Sequence, residues 1–132
     1  MSWWAKYVGL EFENRARGPH TFDCWGLVCE VEHREFGKDL PSYSVYDDAF
    51  DKDETAPLFQ DGIDTVPNDL VDRTDARDGD IVFLRYRGRV THVGVFVSPN
   101  RILHIDRGCN SVCEALDNVS MRSRVEEIRR VR

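Results

Sequence analysis

Between Phe22 and Gly37 apolar side chains recur at helical spacing: Leu27, Val28 and Val31 form a stripe that Trp25, Cys29 and Phe36 widen. That period predicts a helix whose first two turns are buried. Glu30, Glu32, His33, Arg34 and Glu35 crowd the later turns, so the far end is expected to reach water. Asp23 or Thr21 can cap the first turn, and Gly37 can take the left-handed conformation that closes the last. Further along, Ile81-Val82-Phe83-Leu84, Val90 to Val97 and Arg101 to Ile105 read as strands, separated by Arg87-Gly88-Arg89 and Ser98-Pro99-Asn100. Strands joined by tight turns predict an antiparallel meander. Asn110 to Glu114 and Val125 to Val131 can add strands, with a short capped helix from Asp117 to Ser123 between them.

Elsewhere the pattern is weaker. Ser2 can cap a short helix through Trp3, Trp4, Lys6 and Tyr7 that Gly9 stops, and the tryptophans are expected to pack. Glu11 to His20 is polar and carries Gly18-Pro19, which predicts a loop. From Leu40-Pro41 to Asp78 acidic residues crowd and periodicity fades. One short helix over Asp51 to Asp61, carrying Leu58 and Phe59, and a long surface loop are expected there. A loop of that length in a small domain can wall an active site.

Composition narrows the function. A chain of 132 residues suits one domain, 1–132, around one core. Its formal net charge of −6 argues against nucleic acid as a partner, since phosphate binding needs a basic face. The run Arg122, Arg124, Arg129, Arg130, Arg132 is broken by Glu126 and Glu127 and reads as a solvated or ion-paired edge. No apolar run is long enough to span a bilayer, so no membrane partner is expected. The start, Met1-Ser2-Trp3-Trp4-Ala5-Lys6, lacks the order of a signal peptide and predicts synthesis in a cytoplasm without self-directed export. The uneven spacing of Cys24, Cys29, Cys109 and Cys113 predicts reduced thiols. Cys109 and Cys113 lack the spacing of a zinc knuckle, and Asp51 and Asp53 lack the other ligands of a calcium loop, so no metal is expected.

The candidate chemistry lies at the tip of the central helix. Cys24 stands at its N-terminus, where the macrodipole and unpaired backbone N–H groups favour a thiolate. The same N–H groups can hold an oxyanion, and Gly26 leaves room for a substrate or a neighbouring strand. A buried core cysteine is the alternative. His20, four residues earlier, can approach the thiol, although a histidine beside Gly-Pro is more often merely exposed. His92 and His104 are the polar exceptions in the strands. If Ser98-Pro99-Asn100 is a three-residue loop, Val97 pairs with Arg101, Gly94 with His104 and His92 with Asp106. The two imidazoles then share a face one diagonal step apart, with Gly94 leaving room between them. A loop one residue shorter or longer would part them. On one face they suit a Cys–His–polar arrangement: Cys24 as nucleophile, His92 as its base, and His104 or Asp106 orienting His92.

Asp23-Cys24-Trp25-Gly26-Leu27-Val28, Gly79-Asp80-Ile81-Val82-Phe83-Leu84, His92-Val93-Gly94-Val95-Phe96-Val97 and His104, in this order over residues 7 to 106, resemble the NlpC/P60 family of cysteine peptidases. The resemblance implies a papain-like α+β fold, with the nucleophile helix packed on an antiparallel sheet. It implies a catalytic triad of Cys24, His92 and His104, without metal or cofactor. The expected substrate is the stem peptide of bacterial peptidoglycan, cut between γ-D-glutamate and diaminopimelate or lysine. Two departures stand out: Trp25 replaces the serine usual after the nucleophile, and Phe12 in Gly9-Leu10-Glu11-Phe12 replaces a tyrosine that helps build the site. Trp25 and Leu40-Pro41-Ser42-Tyr43 look like the branch found in phage tails and phage-derived particles. That branch implies a place in a virion tail or prophage and other tail proteins as partners. A structural tail subunit that keeps the fold without useful catalysis is the alternative.

Overall fold

The computed structural model describes residues 2–42 and 62–132. The first strands are the two-residue pair β1 (Glu11–Phe12) and β2 (Thr21–Phe22), which run parallel. The helix α1 follows at Cys24–Phe36. Six strands then form one sheet: β3 (Asn68–Val71), β4 (Ile81–Tyr86), β5 (Arg89–Val97), β6 (Arg101–Asp106), β7 (Cys109–Ala115) and β8 (Val125–Val131). Their order in the sheet is β3-β8-β4-β5-β6-β7, and every pairing is antiparallel.

The meander takes the expected form because its turns have the right chemistry. Arg87 and Gly88 both have positive φ (53° and 78°), the requirement of a two-residue turn whose twist matches the strands. Ser98-Pro99-Asn100 is a three-residue loop, since Val97 pairs with Arg101. Alternation then sorts the side chains onto two faces. Val93, Val95, Val97, Leu103 and Ile105 join Leu27, Val28 and Val31 of α1 in the main core. Phe96 and Ile102 join Val82, Leu84, Ile128 and the turn residues Leu116 and Met121 in a second cluster.

Some expectations need correction. The chain's start forms only a single 3-10 turn at Ala5–Tyr7, with Trp4 rather than Ser2 at its cap. Trp3 does pack, edge-on against Phe36 at 5.2 Å. The stretch Glu11 to His20 begins as strand β1 instead of loop, and the acidic connector ends in β3, which pairs with β8 at the sheet edge. Asp117 to Ser123 is a run of turns, not a helix. The expected helix over Asp51 to Asp61 lies outside the described residues.

The last three arginines of the run form an ion-paired edge. Arg130 grips the buried carboxylate of Asp80 with Nε and Nη2, each at 2.9 Å, while Arg132 pairs with Asp69 and Arg129 with Glu127. Glu32 departs from expectation more sharply. It lies one helical turn beyond Val28, on the packed side of α1, and is 1% exposed instead of reaching water. Burial, followed by the nearby Asp80 carboxylate, pushes its pKa up to about 8, and its Oε1 has no hydrogen-bond partner.

Candidate active site

The tip of α1 is built by Asp23. Its backbone is extended, and its Oδ1 accepts the Gly26 N–H at 2.7 Å, the capping bond expected from the sequence. The same carboxylate accepts the Arg15 N–H at 3.1 Å and an Arg17 Nη1 donor at 2.8 Å, and its side chain is fully buried. Burial raises the Asp23 pKa, opposed by Arg17 and by the Gly26 and Arg15 N–H groups. Arg17 was not foreseen as a partner, because nothing local in a polar loop marks one arginine as the capping residue's counterion. Asp23→Ala removes the cap and leaves a partly buried guanidinium without its carboxylate. A loss of about 3 kcal/mol is expected, measured by urea unfolding.

Of the two uses expected for the space at Gly26, approach by the chain's own backbone is the one found. A Cβ there would lie 2.3 Å from the Ala16 carbonyl oxygen, so the space is occupied by this chain's own backbone and not by a substrate. Trp25 is 2% exposed and turns away from the helix tip to donate its Nε1 hydrogen to the Pro41 carbonyl at 2.7 Å. A Cβ at Gly62 would lie 2.7 Å from the Trp25 ring, so both Pro41 and Gly62 rest against one indole. His20 is exposed.

Cys24, the first residue of α1, is 7% exposed and belongs to the main core cluster together with Val93 and Ile105, the residues that follow His92 and His104. The two histidines meet directly. His92 Nε2 lies 2.8 Å from His104 Nδ1, with the rings edge-to-face at 5.1 Å between centroids. The expected register, with its three-residue loop, thus brings them onto one face. Gly94 does not separate the rings, however. A Cβ at Gly94 would lie 2.6 Å from Ile102 side-chain carbons, so the glycine admits Ile102. Asp106, the rival orienting group, points its Oδ1 to the Arg107 N–H instead.

Both histidines flank breaks in the strand ladders. The β4–β5 register shifts between Leu84 and Arg85, whose partners are His92 and Val90. The β6–β7 register shifts between His104 and Asp106. Such bulges turn a side chain off the strict alternation of its strand. Since Nε2 of His92 faces His104, Nδ1 is the ring nitrogen through which His92 can act on a sulfur. His104 is largely buried, and burial lowers its pKa against the opposing pull of Glu114 and Asp106. A neutral His104 is therefore favoured.

Cys29, five residues after Cys24 on the same helix, provides a contrast. Burial pushes its pKa up to about 12, which keeps it a thiol. All four cysteines are free of disulfide bonds. No group of three or more His, Cys, Asp or Glu residues among the described residues could hold a metal ion.

Comparison with known proteins gives a consistent set of matches. The model of the NlpC/P60 family matches residues 9–130. Murein DD-endopeptidase MepS/Murein LD-carboxypeptidase of Escherichia coli strain K12 is 22% identical over 131 residues, 99% of this chain and 61% of that protein. Probable endopeptidase p60 of Listeria grayi is 27% identical over 114 residues, 86% of this chain and 18% of that one. The chain therefore spans less than two thirds of the length of these relatives. Among solved structures, an NLP/P60 family protein similar to a lipoprotein, from Staphylococcus aureus, superposes with a TM-score of 0.68 at 25% identity, over 96% of this chain and 38% of that one. The NlpC/p60 domain of the peptidoglycan hydrolase SagA superposes with a TM-score of 0.64 at 18% identity, over 93% of this chain and 88% of that domain.

Proposed function

Because the chain belongs to the NlpC/P60 family, we propose that it is a cysteine peptidase hydrolysing amide bonds in the stem peptides of bacterial peptidoglycan. The observation that carries this reading is the His92–His104 pair at 2.8 Å, on strands against which the helix headed by Cys24 packs. The names of the relatives from Escherichia coli and Listeria grayi support the substrate class.

In this reading the thiol proton of Cys24 passes to His92 Nδ1, and the sulfur attacks the amide carbonyl carbon. Backbone N–H groups at the helix tip hold the resulting oxyanion. The tetrahedral intermediate collapses as His92 protonates the departing amine, leaving an acyl-thioester on Cys24. His92 then takes a proton from water, whose oxygen attacks the thioester. Collapse releases a carboxylic acid and the Cys24 thiolate, which takes the proton back from His92 and restores the starting state. His104 holds the His92 ring in the orientation that these transfers need.

The bond proposed is that between γ-D-glutamate and diaminopimelate or lysine. Trp25 and the stretch Leu40-Pro41-Ser42-Tyr43 support a place in a phage tail or prophage particle, with tail proteins as partners. Incubation with defined muropeptides, followed by mass spectrometry, tests the substrate. Fragments gaining one water at the γ-D-glutamyl bond are expected. Intact muropeptides of every stem composition would overturn the hydrolytic reading and favour a structural tail subunit, and cleavage at another amide would overturn only the bond.

A further inference from the structure

Beyond the pair of imidazoles stands a third polar group. His104 Nε2 is buried and makes no hydrogen bond, yet the Glu114 Oε2 atom lies 3.5 Å from it. Glu114 sits on β7, opposite Ile102, and the β6–β7 pairing sets it one diagonal step from His104 on the same face. Its side chain is about one-third exposed (32%), whereas that of His104 is 11% exposed. Among the described residues, Arg73 binds Asp117, Arg85 binds Glu126, and Arg129 binds Glu127.

We propose that Glu114 is a positioning residue, which selects the tautomer of His104 that lets His92 accept the thiol proton. The inference rests on the roles of Cys24 and His92 proposed above. The logic follows from counting protons on four ring nitrogens. A neutral imidazole has one N–H and one lone pair. If His104 carries its proton on Nε2, facing the Glu114 carboxylate, its Nδ1 is a lone pair and must receive an N–H from His92 Nε2. His92 then has its lone pair on Nδ1, where it can accept the proton of a thiol. If His104 instead carries its proton on Nδ1, it donates to His92 Nε2. The proton of a neutral His92 is then on Nδ1, and that atom cannot accept another.

A carboxylate facing Nε2 favours the first state, because an ionised Glu114 accepts hydrogen bonds and donates none. After transfer, His92 is an imidazolium whose Nε2–H still donates to His104 Nδ1, so no second proton has to move. The contact of 3.5 Å is longer than a hydrogen bond, as contacts of catalytic groups often are before substrate binds. The other charged groups acting on His104 are Asp106, which supports a proton on the ring, and Arg124, which opposes it. Asp106 accepts the Arg107 N–H, while Arg124 donates to the Arg85 carbonyl. Glu114 is thus the carboxylate placed at Nε2.

The test compares wild type with Glu114→Ala and Glu114→Gln, reading the rate of Cys24 alkylation by iodoacetamide across pH and the histidine tautomers by nitrogen-15 NMR. In wild type, His104 is expected as the Nε2–H form. In Glu114→Ala the Nδ1–H form should become populated and alkylation near neutral pH should fall about tenfold, in line with the loss of other outer partners of functional histidines. Glu114→Gln retains an accepting oxygen without the charge, and should fall between the two. A residue acting only on folding would change neither the tautomer nor the pH profile. A wild type in which Cys24 reacts no faster than Cys29 would remove the nucleophile and this inference with it. A reactive wild type, matched by Glu114→Ala in pH profile and in tautomer, would overturn this inference alone.

Discussion

Cys24→Ala is expected to lower hydrolysis of defined muropeptides by about 10⁴-fold or more while the fold persists, because removing a nucleophile leaves only binding and oxyanion stabilisation. The loss should appear in turnover, not in substrate affinity, since a single Sγ atom adds little to binding. The fold tolerates the change: Cys24 contributes a small side chain at the edge of the main cluster, and the tip of α1 is held by Asp23 whether or not the sulfur is present. Circular dichroism and the urea midpoint should match those of wild type. Cys29→Ala is the control. Its thiol contacts the Pro41 carbonyl at 3.8 Å and is kept protonated by burial, so its removal should cost stability and spare turnover. Unimpaired turnover by Cys24→Ala would refute the assignment of the nucleophile.

The second large effect concerns Glu32. Its pKa is about 8 in the folded protein, against an ordinary value of 4.5, chiefly because it is buried and secondly because Asp80 is close. Below pH 4.5 both folded and unfolded chains hold this proton. Between 4.5 and 8 the unfolded chain releases it while the folded chain keeps it, so this group's contribution to stability falls as pH rises. Above pH 8 the folded protein carries a buried carboxylate beside another, and the loss levels off. At about 1.4 kcal/mol per pH unit, the total reaches several kcal/mol. Glu32→Gln should therefore be more stable than wild type by about 3 kcal/mol at pH 9 and close to it at pH 4.5. Urea unfolding at the two pH values checks this. Equal differences at both would show that Glu32 does not titrate between them.

Much of the site could be read from the chain because its determinants are local. The extent of α1 follows from Asp23 and Gly37, and the histidine pairing follows from the length of one loop, Ser98-Pro99-Asn100. What escaped depends on partners far apart in sequence. Strand β3 is only four residues long, and exists through pairing with β8 some 60 residues later. The reasons for Gly26 and Gly94 became visible only with Ala16 and Ile102 in place. Glu114 required the β6–β7 register, which shifts beside His104. Glu32 lies on the packed side by its spacing from Val28, although its charge points the other way. Family membership and fold stand on the comparisons and on the sheet with its packed helix.

The position of Trp25 has an evolutionary consequence. Residues 41 and 62 abut the same indole, so the chain departs from and returns to nearly one point on the molecule. A change at Trp25 therefore releases two contacts at once, the one on the Pro41 carbonyl and the one on Gly62. Relatives that share the tryptophan should therefore keep glycine at the position of Gly62, and Gly62→Ala should lower the urea midpoint by pressing a methyl group onto the ring.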